Sequence, residues 1–403
     1  MSSTQSLKIS MPDGQASARQ DITPYLRTPL LTGNDVEAKR QEIAAYFNTT
    51  WQRYDALFET LTDDRAYYQK SISLRHPLIF YFGHTATFFV NKLVLAGLVE
   101  ARVNPQFESM FAIGVDEMSW DDLDEAHYDW PTVEEVKTYR GQVSDMINRL
   151  IQTTRLSLPI RWESPWWTIM MGIEHEHIHL ETSSVLIRQQ NIEWVESHPD
   201  WAPCTDTGEA PINDFVDIPA GEIVIGQDDD APHYGWDNEY GSHNASVKGF
   251  KTGRYLVSNQ EFFEFVQAGG YKDETLWPEE GLEWLRYTKA TQPSFWVESE
   301  QGWQLRLMAE VVAMPWDWPA DVNYHEAKAF CNWLANQTGE LVRLPTEDEW
   351  YRLYDFAGVK ELEQGEVSTA NLHLDHAASS CPVNRHAQGE LYDVVGNVWQ
   401  WTE

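Results

Sequence analysis

The sequence predicts a multidomain chain: an all-α helical bundle followed by an α+β, loop-rich domain. Apolar residues recur at helical spacing through the first half, as in Val133, Val136, Tyr139, Val143, Met146, Ile147 and Leu150. Near residue 190 this pattern dissolves into polar, proline-containing sequence, with His198-Pro199-Asp200 and Ala202-Pro203. Beyond it, residues 215–226 (FVDIPAGEIVIG) alternate like a strand with a glycine turn, and long Trp- and Gly-rich loops follow. A chain of 403 residues is long enough for two ordinary domains.

Residues 1–33 read as a loose arm, and 34–190 as the bundle. Asn34 can cap a helix running from 35 towards Phe47, and a second helix over 51–61 continues or follows it. Arg75-His76-Pro77 introduces residues 78–90, which are apolar nearly all round and predict a buried helix. His84 lies in its middle, with Phe80 and Phe88 one turn away on either side; it reads as a buried histidine bonded to backbone or hydroxyl, or as a metal ligand. Residues 107–128 mix acids, aromatics and Gly114, which suggests an ordered loop carrying a wall of a site. Pro131 opens the next helix, whose stripe reads as core. The last helix of the bundle starts at Ser164, a capping residue, with Pro165 at the first helical position. Residues 191–214 form the linker and 215–403 the second domain. Two helices are expected there, over 259–266 and 323–336, within short strands and irregular loops rather than a doubly wound sheet. Neither a G-x-G-x-x-G nor a P-loop is present, so no nucleotide site is indicated.

The helix over 164–189, SPWWTIMMGIEHEHIHLETSSVLIRQ, carries the densest chemistry. His175 and His179 lie one turn apart on one face, the spacing at which two imidazoles reach one metal ion. His177 points away, so its replacement is expected to be nearly harmless. Glu181 lies about 240° round the helix from His175 and is a poor third ligand. Two chemistries compete. His175-Glu176-His177-Ile178-His179 matches H-E-x-x-H, with Glu176 as the base of a zinc peptidase and a later acid such as Glu193 as a gluzincin ligand; the following residues do not match a metzincin. The rival is a mononuclear iron site with a third ligand from another helix and open positions for O2 and substrate. His84, His175 and His179 can converge in that way, since bundle metal sites form from inward side chains of different helices.

Composition narrows the partners. The 29 Lys and Arg against 63 Asp and Glu give a formal charge of −34, which argues against nucleic acid and anionic membranes. The three cysteines, Cys204, Cys331 and Cys381, are far apart in sequence and contain no C-x-x-C pair, so no disulfide framework is indicated and a reducing compartment fits. The first thirty residues lack the apolar core of a signal peptide and no run long enough to span a bilayer is read, so a cytoplasmic location is expected.

The pieces GHTATFF around His84, FESMFAIGVDEMSWDDL at 107–123 and GIEHEHIHLETSS at 172–184 resemble the iron-dependent sulfoxide synthases of thiol-histidine biosynthesis. The second half, with YGWDNEYG, WPADVNYHEAKAFCNWL, RLPTEDEW and GNVWQW, is similar to the formylglycine-generating-enzyme-like module that those enzymes join to a DinB-like bundle. Single pieces such as GNVWQW are widespread; the pairing is specific. The resemblance implies a C-type-lectin-like second domain, Fe(2+) as cofactor, and L-cysteine, L-histidine and O2 as substrates. The family's H-x3-H-x-E motif falls on His175, His179 and Glu181, and its upstream ligand histidine on His84. The run MFAIGVDEMSWDDL points to the ovothiol branch, which forms 5-histidylcysteine sulfoxide. The alternatives are a hercynine-using synthase of the ergothioneine branch, the zinc peptidase, and a binding module whose structural metal would need a fourth protein ligand. Because the chain stops in the aromatic segment 393–403, it is expected to lack part of the module, including the family's active-site tyrosine and a methyltransferase domain, and so to bind Fe(II) yet turn over poorly.

Overall fold

The computed structural model describes residues 27–112, 128–359 and 370–403. The bundle is built from α1 (Val36–Phe58), α2 (Arg65–Tyr68), α3 (Leu78–Leu95), α4 (Pro105–Met110), α5 (Val133–Thr153) and α6 (Pro165–Arg188). Asp35 rather than Asn34 caps α1, accepting from the backbone N–H groups of Glu37 and Ala38, and no break separates the two helices anticipated over 35–61. Thr132 and Glu135 form a capping box on α5, and Ser164 caps α6 with Pro165 in its first turn.

Helix α3 is the core of the bundle. Every residue from Leu78 to Val90 is buried, and the helix packs on α4, α5 and α6. Contrary to the sequence reading, α3 is long and apolar enough to cross a membrane by length and composition; 78% of it is buried inside the protein. The α3–α6 crossing is close because Gly172 offers no side chain there: a Cβ at this position would lie 2.1 Å from the Phe89 ring. Gly172→Ala is therefore expected to destabilise the fold by about 1–3 kcal/mol through overpacking. Urea unfolding measures this, and an unchanged midpoint would mean that the two helices separate at little cost.

Two segments read as loose are held. Leu31 is buried, its N–H donating to Pro232 O at 2.6 Å and its carbonyl accepting from Ile160 N at 2.7 Å. In the linker Trp201 is buried under the Arg53 guanidinium, 4.8 Å from the ring centroid. Residues 1–26 and most of the acidic, aromatic run expected as a site wall lie outside the described residues; the start of that run, 107–110, is helical as the end of α4.

The strands of the second domain are β1 (Phe215–Ile218), β2 (Gly221–Ile225), β3 (His243–Val247), β4 (Phe250–Gly253), β5 (Trp296–Ser299), β6 (Gly302–Arg306), β7 (Val311–Ala313), β8 (Ala387–Gln388) and β9 (Leu391–Tyr392). Among the described residues they form four small antiparallel sheets, ordered β1–β4, β2–β3, β5–β6–β7 and β8–β9. The stretch 215–226 does form two strands, but they pair with β4 and β3 instead of with each other. The expected helices are α7 (Asn259–Gln267) and α9 (Tyr324–Thr338); two more, α8 (Glu279–Thr288) and α10 (Glu347–Phe356), were missed. The α10 signal was present in sequence, because Thr346 and Glu349 make a capping box.

Glu326 in α9 is buried, accepting from Tyr271 Oη at 2.6 Å and from Asn323 N at 2.8 Å. Burial pushes its carboxyl up from 4.5 to about 7. An acid whose folded pKa is raised favours folding in its protonated form, so its contribution is full below pH 4.5 and is lost as pH rises through about 7. Glu326→Gln, whose amide can accept from Asn323 N and donate to Tyr271 Oη, is expected to flatten the fall in Tm between those two pH values. Parallel Tm–pH curves for the two proteins would refute this assignment.

Candidate metal centre

Helix α3 contributes His84, and α6 contributes His175 and His179. One ligand nitrogen from each lies within 4.8 Å of the others, and all three residues are buried. The ring centroids are 5.0 Å apart for His84–His175, 4.8 Å for His84–His179 and 4.5 Å for His175–His179. Aromatic side chains fix the rings: Phe88 stacks on His175 at 3.7 Å and 7°, and Phe80 on His84 at 5.2 Å and 15°.

Local sequence explains the poise of His84. Its Nδ1 is 2.6 Å from the carbonyl of Phe111, so a proton on Nδ1 donates there and leaves Nε2 as the electron-pair donor. Gly83 permits this approach, since a Cβ would meet the Phe111 ring at 2.4 Å. Burial holds His175 and His179 well below the ordinary histidine range, assisted by the neighbouring imidazoles and, for His175, by Lys92. Both are therefore neutral, the form that ligates a metal. The Nδ1 atoms of His175 and His179 are buried without a hydrogen-bond partner, an arrangement that proteins seldom leave unsatisfied. The donor set fits a divalent first-row metal with coordination positions left over.

A small pocket opens beside the cluster, lined by His84, Thr87, Phe88, Asn91, Lys92 and Leu95. The Lys92 ammonium lies 5.0 Å from the Phe88 ring centroid, on the same helix face as His84. Sequence reading missed Lys92, although its spacing from His84 and Phe88 by whole turns was the available signal.

The rest of α6 serves other purposes. Glu176 is fully buried and turned away from the three histidines: its Oε1 accepts from Arg140 Nη2 at 3.0 Å and from Thr85 Oγ1 at 3.3 Å. A general base must reach the metal-bound water, and a carboxylate engaged by Arg140 and Thr85 speaks against the peptidase reading. Glu193 lies on an exposed 3-10 turn beyond the end of α6. Among the described residues no fourth His, Cys, Asp or Glu joins the cluster, and this disfavours a closed structural site.

His177 points away as expected, yet it is not on open surface. Its Nε2 is 2.9 Å from Thr50 Oγ1 and its ring is 4.3 Å from that of His373 in the second domain. The side chain is packed in the interdomain seam, which speaks against a harmless replacement. Glu181 belongs to the same seam. Its carboxylate accepts from His373 N at 2.9 Å and from Trp399 Nε1 at 2.7 Å. Arg53 pairs with Asp375 at 2.9 Å, and Arg188 with Asp321 at 2.5 Å. One face of α6 thus holds the histidine cluster while the opposite face grips the second domain.

Residues 46–183 match the DinB superfamily, and residues 203–403 match the sulfatase-modifying factor enzyme 1-like domain. Ergothioneine biosynthesis protein 1 of Neurospora crassa is 25% identical over 390 residues, covering 87% of this chain and 42% of that protein. The hercynine oxygenase of Mycolicibacterium smegmatis is 27% identical over 260 residues, 60% of this chain and 56% of that protein. That of Mycolicibacterium thermoresistibile is 29% identical over 278 residues, 66% of this chain and 57% of that protein. The chain spans about half the length of these curated relatives. Their names fall on the hercynine side of the two acceptors weighed from the sequence.

Proposed function

We propose, from the premise that this chain joins a DinB-superfamily bundle to a sulfatase-modifying factor enzyme 1-like domain, that it belongs to a non-haem iron sulfoxide synthase. The reaction couples a cysteine thiol to an imidazole C–H with O2, giving a thioether sulfoxide and water. The observation that carries this reading is the buried, neutral cluster of His84, His175 and His179 in that two-domain setting. Three neutral ligands leave the full charge of Fe(II) uncompensated, and when bound it supplies the redox chemistry and the coordination positions for thiolate and O2.

The chain's own residues set the conditions. Phe80 and Phe88 stack on the rings of His84 and His175 and fix their planes, and the Phe111 carbonyl holds a proton on His84 Nδ1. Lys92 places a positive charge on the rim of the pocket, suited to the carboxylate of an amino-acid substrate. Holding thiol and imidazole in one complex converts a three-component reaction into one encounter.

The relatives favour hercynine as the acceptor. Histidine is the second reading, favoured by the run MFAIGVDEMSWDDL, most of which lies outside the described residues. The test supplies Fe(II), O2 and cysteine with an equimolar mixture of hercynine and histidine, and identifies the sulfoxide by mass spectrometry. A hercynine-derived product is expected. A product from histidine alone replaces the acceptor assignment, and absence of any C–S product in a chain loaded with iron overturns the activity.

A further inference from the structure

Cys204, Cys331 and Cys381 are free and buried, and two of them, remote in sequence, meet in space. Both lie in one buried cluster of the second domain, and each thiol shifts the ionisation of the other. The backbone has already brought their segments side by side: Ala378 N donates to Ala202 O at 2.9 Å, and Cys204 N donates to Ser379 Oγ at 2.9 Å. Asn397 pins the other side of the pair, its Oδ1 accepting from Cys381 N at 2.8 Å and its Nδ2 donating to Cys381 O at 3.0 Å. Arg385 Nη1 donates to Cys204 Sγ at 3.2 Å and to Asp206 Oδ2 at 2.5 Å.

We propose that Cys204 and Cys381 are an oxidation-sensitive pair, closed to a disulfide by a hydroperoxide, that clasps the entry of the second domain to the loop docking it on the bundle. The two sulfurs have distinct tasks. Cys204 lies just beneath an ion pair whose Arg385 and Asp206 side chains are 38% and 65% exposed, so a small oxidant can reach it. The neighbouring Cys381 thiol and the Arg385 guanidinium, 3.2 Å from Cys204 Sγ, hold the Cys204 thiol below the ordinary cysteine range and favour it as the nucleophile. Cys381 has no exposure, and its thiol is raised. Attack by the Cys204 thiolate breaks the peroxide O–O bond and leaves a sulfenic acid and water. The Cys381 sulfur then displaces the second water as the S–S bond forms. Two thiols lose two electrons and two protons, and hydrogen peroxide becomes two waters. Cys331 provides the contrast, since burial raises its thiol to about 11 and neither other cysteine pairs with it.

The bond would reach beyond its own loop. Residues 371–375, just upstream, carry His373 against His177 and Asp375 against Arg53. Fixing Cys381 to Cys204 ties this docking segment to the start of the domain.

The experiment treats the reduced full chain with hydrogen peroxide, alkylates it under denaturing conditions and maps the peptides. A Cys204–Cys381 linked peptide is expected, with Cys331 alkylated, reversal by dithiothreitol, and a rise in Tm of about 5–10 °C from the closed loop. Cys204→Ser and Cys381→Ser should each abolish the link and Cys331→Ser should keep it; the map of the unaltered chain stands even if a variant fails to fold. Three alkylatable thiols after oxidation, a link through Cys331, or over-oxidised Cys204 without a link would each overturn the proposal.

Discussion

Replacing His84, His175 or His179 by alanine is expected to cut Fe(II) affinity by at least about 10–100-fold, since loss of a residue that merely supports a ligand already costs that much. Each imidazole offers one of three donors whose atoms lie within 4.8 Å of one another, so a variant keeps only two of them. The effect should be near equal for the three. His84 enters from a different helix, and the Phe111 carbonyl fixes its ring, so its loss opens the cluster as fully as a loss from α6. Anaerobic Fe(II) titration followed by metal analysis is the measurement, with the exposed His243 replaced as a control. Full iron retention by His84→Ala would remove α3 from the site and leave only the i, i+4 pair.

The parts of this centre that were legible in sequence obey periodicity. His175 and His179 share a face because helical geometry requires it, and the apolar surroundings of His84 announce a buried helix. Two fates could not be read locally. Glu176 occupies the general-base position of a peptidase motif, and only the tertiary position of Arg140 turns it away from the histidines. His177 points to the side that sequence geometry gave it, but the loop that covers it comes from the second domain, almost two hundred residues later. Periodicity assigns a side chain to a face and says nothing about what will pack there. Cys204 and Cys381 illustrate the same limit, since their sequence separation hid a spatial contact. Helices α8 and α10 escaped for a different reason. Gly281 lies in the first turn of α8 within an acidic stretch, so its local pattern competed poorly with loop-like composition, whereas the capping box that opens α10 was a legible signal.

Arg140 is the residue behind the centre whose loss should cost most in stability. It sits on the apolar stripe of α5, between Val136 and Val143, where a charge in an otherwise hydrophobic repeat was the visible sign of a buried partner. The side chain is 1% exposed. Its Nε donates to Asp55 at 2.7 Å, Nη1 to Phe82 O at 3.0 Å and to Thr85 Oγ1 at 2.7 Å, and Nη2 to Glu176 at 3.0 Å. The guanidinium also lies 4.3 Å from the Trp51 ring centroid and 5.0 Å from that of Tyr54. Arg140→Met fills much of the volume but strands Glu176 and the Phe82 carbonyl, and breaking a buried pair from one side costs about 3–5 kcal/mol. For a domain of this size that is a fall in Tm of roughly 10 °C. Because Glu176 adjoins His175 on α6, the same variant should weaken Fe(II) binding. Adding Glu176→Gln removes the stranded charge and should recover part of the lost stability without restoring the hydrogen bonds, whereas Asp55→Asn, at the more exposed end of the network, should recover less. Calorimetry of the two double variants against Arg140→Met separates these terms. A loss below about 1 kcal/mol in the single variant would mean that the guanidinium is dispensable and that aromatic packing alone orients α6.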